Sequence, residues 1–341
     1  MGLPRSCKVE LKNKYEKGKR NLITDVPGVK VGHVTLQDEG KHIHTGVTAV
    51  FPHEENLFKE KVPAAVSVIN GFGKSAGLIQ IEELGNIETP ILMTNTFGVG
   101  TALNALTRYM LEQNPDIGVT TCTVNGVVTE CNDGELNDIR GMHLTEADVR
   151  KALETAGEKF EEGAVGSGTG MICMGMKGGI GSASRIVEID EKKYTIVAIV
   201  MSNFGSFGNL RIDGKLIGTE SCRPSGPEKG SIIMLIGTDL PLSDRQLRRM
   251  AKRSTISLGR VGSYLGTGSG DIAIAFSNGN RIPHYSEKKI LSATYLYENK
   301  MDTVFEATAE AVEEAIISSL YHADGMTGIR DKTVHGLKEY L

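Results

Sequence analysis

Several residue groups in this 341-residue chain have the types and spacing to do chemistry. The sharpest is Gly230-Ser231, where the breaker-rich stretch Ser221-Cys-Arg-Pro-Ser-Gly-Pro-Glu-Lys-Gly230 gives way to the apolar run Ser231-Ile-Ile-Met-Leu-Ile-Gly237. A serine hydroxyl is a poor nucleophile at neutral pH unless a base lies beside it. Cutting the peptide bond before Ser231 would supply that base. An α-amine, with a pKa of roughly 7.7–8.0, can take the hydroxyl proton and later give one to a leaving amine. Glycine at 230 lets the backbone reach strained conformations in which the hydroxyl attacks the preceding carbonyl, so self-cleavage would create the catalyst. The same pair also fits a turn glycine followed by the first serine of a strand.

Gly266-Thr-Gly-Ser-Gly-Asp271 places Ser269 and Asp271 on one side of an extended segment, and it also fits a tight glycine turn with a capping aspartate. Glu130-Cys-Asn-Asp-Gly-Glu-Leu-Asn-Asp138 is an acidic run suited to a cation, to a substrate ammonium group, or to a solvated loop. Asn203, at the end of an apolar strand, offers an amide donor to an oxyanion or makes a turn. Gly71-Phe-Gly-Lys-Ser75 ends like a phosphate loop and carries the nucleotide-binding alternative. Position 68 is Val where such a loop needs glycine, and Gly77 weakens the helix that should follow. Gly170-Met-Ile-Cys-Met-Gly175 has the glycine spacing but Met176 in place of the lysine.

The elements that must position these groups are legible as short runs. Residues 29–36, 46–51, 64–69, 91–95, 194–201, 231–237 and 271–276 read as strands. Amphipathic spacing predicts helices over 102–113 and 145–161, the latter capped by Thr145 with Asp148. Ser243 with Gln246 opens another helix, and a long one opens near Thr303 with Glu306 at its third position. The glycine-dense stretch 163–182 reads as turns or close backbone approaches rather than a regular element. The basic start, Arg5 to Arg20, reads as a frayed extension over residues 1–21.

Composition excludes several classes. With 38 Lys+Arg against 42 Asp+Glu, the net charge of -4 gives no general attraction to nucleic acid or anionic lipid. The basic run Arg245, Arg248, Arg249, Lys252 and Arg253 has no interleaved aromatics and reads as a solvated helix face. The 5 cysteines form no C-x-x-C, which fits a reducing, cytoplasmic setting without disulfides. No metal is expected, since the 8 histidines show no ligand spacing beyond His42-x-His44, read as a loop. No apolar run approaches the ~18 residues of a membrane span.

Six motifs resemble, in order and spacing, the self-processing L-aminopeptidase/D-amidase and β-peptidyl aminopeptidase family. They are Thr24-Asp-Val-Pro-Gly-Val-Lys-Val-Gly-His33, Thr94-Asn-Thr96, Asp133-Gly-Glu-Leu-Asn-Asp138, Gly163-Ala-Val-Gly-Ser-Gly-Thr-Gly170, Lys177-Gly-Gly-Ile-Gly181 and Gly230-Ser231. The resemblance implies an α/β fold, a four-layer αββα sandwich forming a single domain over residues 22–341. Cleavage at Gly230-Ser231 would leave an α chain 1–230 and a β chain 231–341. It implies an aminopeptidase or amidase without cofactor or metal, acting on a short peptide or amino acid amide, with the αβ units associated as a homo-oligomer, a tetramer. Ser231 would be the nucleophile, Ser269 the hydroxyl that bonds it, Asp271 the carboxylate beside it and Asn203 the oxyanion donor. Glu130 would hold the substrate ammonium. The chain departs from the family pattern at Asn132, a polar residue in place of an aromatic, and this leaves substrate preference open. An acyltransferase of the same fold would use the same nucleophile. Neither a nucleic acid nor a membrane partner is expected.

Overall fold

The structure, a computed structural model, describes residues 11–217 and 228–341. Residues 221–227 of the breaker-rich stretch, whose composition reads as an exposed segment, therefore lie outside the described residues, as do Cys7 and Cys222. The main strands are β1 Lys30–Asp38, β2 Ile43–Phe51, β3 Glu60–Gly71, β4 Ile91–Asn95, β5 Val127–Cys131, β6 Gly179–Ile189, β7 Lys192–Phe204, β8 Lys229–Thr238, β9 Gly268–Ser277 and the short β10 Ile282–Pro283. The helices are α1 Leu78–Leu84, α2 Val99–Gln113, α3 Glu146–Glu154, α4 Asp244–Arg260 and α5 Met301–Tyr321.

Two sheets form. One has four strands in the order β1-β2-β4-β5; the other has seven, running β10-β3-β9-β8-β7-β6 with the short pair Asn86–Ile87 added against β3. Strands at the centre of the larger sheet are apolar on both faces because both faces are covered. Ile196, Ala198 and Val200 of β7, with Ile232, Met234 and Ile236 of β8, pack among residues of α4 and α5. Their alternates, Val197, Ile199, Met201, Ile233 and Leu235, pack against Val31, Val50, Met93 and Val127 of the smaller sheet. The outer face of that sheet meets Ala102, Leu106 and Val149 of α2 and α3. Three apolar layers thus separate helix, sheet, sheet and helix, the αββα sandwich.

Local chemistry sets the boundaries. Thr145 and Asp148 form the expected capping box, but α3 stops at Glu154, short of the expected 161. Gly157 instead pairs with Val31 as an isolated bridge, so tertiary pairing overrides helical spacing. Ser243 and Gln246 cap α4 as expected. Helix α5 is not opened by Thr303; it continues from a 3-10 turn, Glu298–Lys300, and starts at Met301 without a side-chain cap. The glycine-dense stretch holds a regular element after all, since β6 begins at Gly179. Its glycines serve close approach: a Cβ on Gly181 would lie 2.0 Å from the Ala315 carbonyl oxygen, so only glycine lets α5 lie against this strand. His44 is buried in β2 rather than in a loop.

Residues 11–21 are held rather than frayed. Lys14 Nζ pairs with Glu306 at 2.7 Å and Lys17 Nζ with Glu314 at 2.7 Å, both on α5, while Asn21 Nδ2 donates to Glu314 at 2.7 Å. Arg185, fully buried in β6, binds Glu310 at 3.1 Å and Glu314 at 2.6 Å. Among the described residues no helix is long and apolar enough to cross a membrane.

Candidate active site

Ser231 enters the site as the third residue of β8, paired with Asn203 of β7 on one side and Gly270 of β9 on the other. Three strand ends therefore meet around one hydroxyl. Gly230 has φ +103, and a Cβ there would fall 1.9 Å from the Asn203 carbonyl oxygen. Backbone conformation and contact both demand glycine at this position. The buried Oγ of Ser231 accepts the N–H of Gly270 at 3.1 Å.

Parallel pairing of β8 with β9 sets Ser269 beside Gly230 and Asp271 beside Ile232. The register of β9 against β3 shifts between Asp271 and Ile272, a bulge of the kind that re-aims side chains at sheet ends. Ser269 Oγ donates to Asp271 Oδ2 at 2.5 Å and contacts the Gly266 carbonyl at 2.9 Å, while Asn70 Nδ2 donates to Ser269 Oγ at 2.9 Å. The implied bond from Ser269 to Ser231 is not among these contacts; in the unbroken chain Ser269 faces Asp271. Asp271 Oδ1 is buried without a hydrogen-bond partner. Burial pushes its carboxyl up to about 6, with the nearby charge of Glu228 adding to the rise and the Ser269 hydroxyl opposing it.

Glu130 comes from the other sheet. It is the penultimate residue of β5 and is 4% exposed, so the acidic run begins inside a strand rather than in a solvated loop. Its Oε1 accepts the N–H of Lys74 at 2.8 Å, and its Oε2 accepts the Thr96 hydroxyl. Gly73 bridges the two sheets: a Cβ there would lie 3.5 Å from Glu130 Oε1 and 3.9 Å from the Gly270 Cα. Glu130 thus lies beside the β9 end that carries Ser269 and Asp271. The rest of the acidic run diverges. Asp133 is buried and accepts Asn95 Nδ2 at 3.2 Å and Asn137 Nδ2 at 3.1 Å, burial pushing its carboxyl up to about 6. Among the described residues no group of three or more His, Cys, Asp or Glu is placed to hold a metal ion.

Asn203 Oδ1 accepts the N–H of Ile172 at 2.9 Å, and its Nδ2 donates to the Asn132 carbonyl at 2.9 Å. An amide nitrogen carries two protons, so one donor is left for an oxyanion. Asn132 reaches the site through its main chain; its exposed side chain accepts the N–H of Gly134 at 2.9 Å. The loop holding Ile172 is itself tied down by Lys177. This fully buried lysine gives its ammonium to the carbonyls of Gly168 at 3.1 Å, Met171 at 2.9 Å and Gly178 at 2.6 Å. Burial pushes Lys177 down to about 7.

Sequence reasoning missed Asn70, the Lys74 amide and Thr96 as supports of the site. Asn70 and the Lys74 amide were signalled only by the glycines of Gly71-Phe-Gly-Lys-Ser75, which read equally as a phosphate loop, and Thr96 only by its place in Thr94-Asn-Thr96, a motif that gave it no role. The structure puts a carboxylate, Glu130, on the amide of Lys74, the wrong charge for a phosphate cradle. The arrangement gathers a hindered glycyl-serine bond, a spare amide donor, an aspartate half-neutral near pH 6 and a second buried carboxylate close by. Those are the parts of a serine-dependent acyl transfer to water.

Comparison with known proteins agrees. The model of peptidase family S58 matches residues 21–334. A β-peptidyl aminopeptidase from Sphingosinicella microcystinivorans is 37% identical, covering 94% of this chain and 86% of the relative. A crystal structure of a protein from Pyrococcus horikoshii OT3 is 53% identical with a TM-score of 0.92, covering 96% of this chain and 94% of that one. The L-aminopeptidase D-Ala-esterase/amidase of Ochrobactrum anthropi, a serine aminopeptidase with a variant Ntn hydrolase fold, is 37% identical with a TM-score of 0.89 over 96% of this chain and 94% of its own. Matched along nearly its whole length at these identities, the chain belongs to peptidase family S58 and is a hydrolase of the aminopeptidase type.

Proposed function

We propose that the chain cuts itself before Ser231 and then uses that serine, with its own new α-amine as base, to release N-terminal residues from short peptides, amides or esters. The observation that carries the reading is Gly230, held at φ +103 against the Asn203 carbonyl directly before a buried serine. In turnover the α-amine takes the Oγ proton and Oγ bonds to the substrate carbonyl carbon. The Asn203 amide faces the developing oxyanion, and the leaving amine departs with the proton. Water then attacks the ester and restores the hydroxyl. Asp271, joined to Ser269, balances the charge of the amine, and Glu130 binds the substrate ammonium, a charge-assisted contact worth roughly 1.5–3 kcal/mol. The β-aminopeptidase and D-amidase names of the relatives support a tolerant choice of first residue. Exposed Tyr285, Ile290, Leu291, Tyr295 and Tyr297 support association of αβ units into a homo-oligomer, a tetramer, and free Cys122, Cys131 and Cys173 support a cytoplasmic setting.

Denaturing electrophoresis with amino-terminal sequencing tests the cut: two chains, the smaller starting at Ser231, are expected, and a single intact chain in an active preparation would sink the mechanism. Hydrolysis of a small amino acid p-nitroanilide against its N-acetylated form tests the site. The free amine should react at least about tenfold faster, and equal rates would remove the aminopeptidase assignment of Glu130.

A further inference from the structure

Glu228, three residues before Ser231, is a carboxylate that the turnover described above does not use, and it is 3% exposed. Its Oε1 accepts the Ser263 hydroxyl, its Oε2 accepts the N–H of Tyr264 at 3.0 Å, and its own N–H donates to the Tyr264 hydroxyl at 2.5 Å. Its carbonyl lies close against the same loop, since a Cβ on Gly266 would fall 2.4 Å from that oxygen. No lysine or arginine pairs with Glu228 among the described residues; hydroxyls and amides alone hold a buried carboxylate, a costly arrangement. The gripping loop is itself forced, with Leu265 at φ +60 and Gly262 at φ +101. Side chain and amide of one residue are therefore both held by hydrogen bonds, two peptide units upstream of Gly230.

We propose that Glu228, gripped by Ser263 and Tyr264, is a positioning residue for self-cleavage, anchoring the acyl side of the bond that breaks. The proposal rests on the reading that the chain cuts itself before Ser231. In that reaction Ser231 Oγ bonds to the Gly230 carbonyl carbon, the Gly230–Ser231 C–N bond breaks, and the Oγ proton passes to the released nitrogen. Water then cleaves the resulting ester, leaving a carboxylate on Gly230 and the hydroxyl on Ser231. The attack needs Gly230 to stay in its hindered conformation, and strain persists only where the surroundings over-determine it. Ser231 is fixed downstream by Gly270 and Gly230 is wedged against Asn203. Without an upstream anchor, rotation about Lys229 would let the bond relax out of line. Once the bond is cut, no strain is left to hold, and turnover of external substrates proceeds without the anchor.

The test follows disappearance of the precursor band for Glu228→Gln, Tyr264→Phe, wild type and Ser231→Ala, with kcat and KM of each matured fraction per titrated Ser231. Wild type should mature to two chains and Ser231→Ala should not. Glu228→Gln should mature at least about tenfold more slowly, the loss expected when a hydrogen-bonded carboxylate is neutralised. At about pH 8, above the Asp271 titration that the Glu228 charge raises, its matured fraction should keep kcat and KM, a split that general structural damage would not produce. Maturation of Glu228→Gln at the wild-type rate overturns the proposal, and so does a parallel loss of kcat. Where Glu228→Gln gives no cooperative melt, Tyr264→Phe decides by the same two readouts, because it removes only the hydroxyl on the Glu228 amide. A wild-type chain left uncut before Ser231 would remove the cleavage reading itself, a failure visible without any variant.

Discussion

At the scale of single residues, protonation decides when the site works. In the uncut chain burial pushes the Asp271 carboxyl up to about 6; after the cut the α-ammonium beside it favours the anion, and the anion in turn holds the amine above its free value of roughly 7.7–8.0. The acid limb of log kcat/KM should fall with a slope of one below pH ~8, and Asp271→Asn should move that limb to lower pH. A limb at the same pH in wild type and Asp271→Asn would show that Asp271 does not balance the amine. Ser231→Ala should abolish both cleavage and turnover, whereas Ser269→Ala should slow turnover without removing the nucleophile. Stability carries the opposite sign. Asp133, with a folded value of about 6 above its ordinary 3.8, lets the folded chain hold a proton that the unfolded chain releases. Its contribution is fully present below pH ~4 and is lost as pH rises through ~6. Thermal melts of Asp133→Asn against wild type between pH 4 and 7 should show a shallower decline in the variant.

At the scale of elements, one glycine and one lysine set the geometry. Gly230→Ala forces a Cβ to 1.9 Å from a backbone oxygen at a positive φ. Intact precursor should therefore accumulate on gels, and rapid normal cleavage would show that the hindered conformation is not needed. Lys177→Met keeps the volume but withdraws the ammonium from three carbonyls; it should lower kcat more than KM by loosening the loop whose Ile172 amide orients Asn203. Why some of this was legible in sequence and some not follows from range. Capping boxes at Thr145 and Ser243 are local and could be read directly. So could the unbroken apolar runs of β7 and β8, because burial on both faces leaves no alternation to misread. The end of α3 and the start of β6 depend on partners far along the chain, Val31 for one and α5 for the other. Ser231, Ser269 and Asp271 stood out because glycine surrounds them. Asn70 and Glu228 are polar residues of ordinary local context, and Thr96 shows only as the end of the Thr94-Asn-Thr96 motif; only the register of distant strands gives all three a task.

At the scale of the molecule, the amino-terminal strap and α5 form a charged seam across the two prospective chains. Burial pushes Glu314 up, yet Arg185 and Lys17 outweigh it and hold its carboxyl below the ordinary 4.5. The stability it supplies is thus present above pH ~4.5 and lost as pH falls through the depressed value. Glu314→Ala leaves Arg185 without its 2.6 Å partner in a fully buried position and should cost about 3–5 kcal/mol in urea unfolding. A change under 1 kcal/mol would mean that Glu310 alone suffices.

The strand order of the larger sheet has one more consequence. After a cut before Ser231, β9 and nearly all of β8 belong to the smaller chain, with β3 of the larger chain on one side and β7 on the other. Neither piece forms a removable flap, because each is flanked by the other within a single hydrogen-bonded ladder. Separation therefore requires melting the whole core, and reassembly would be a fresh folding event between strangers. Each larger chain should keep the smaller chain it was synthesised with. Isotopically heavy and light preparations, mixed and incubated under native conditions, should yield no hybrid masses for individual αβ pairs. The molecule carries a permanent record of its own precursor.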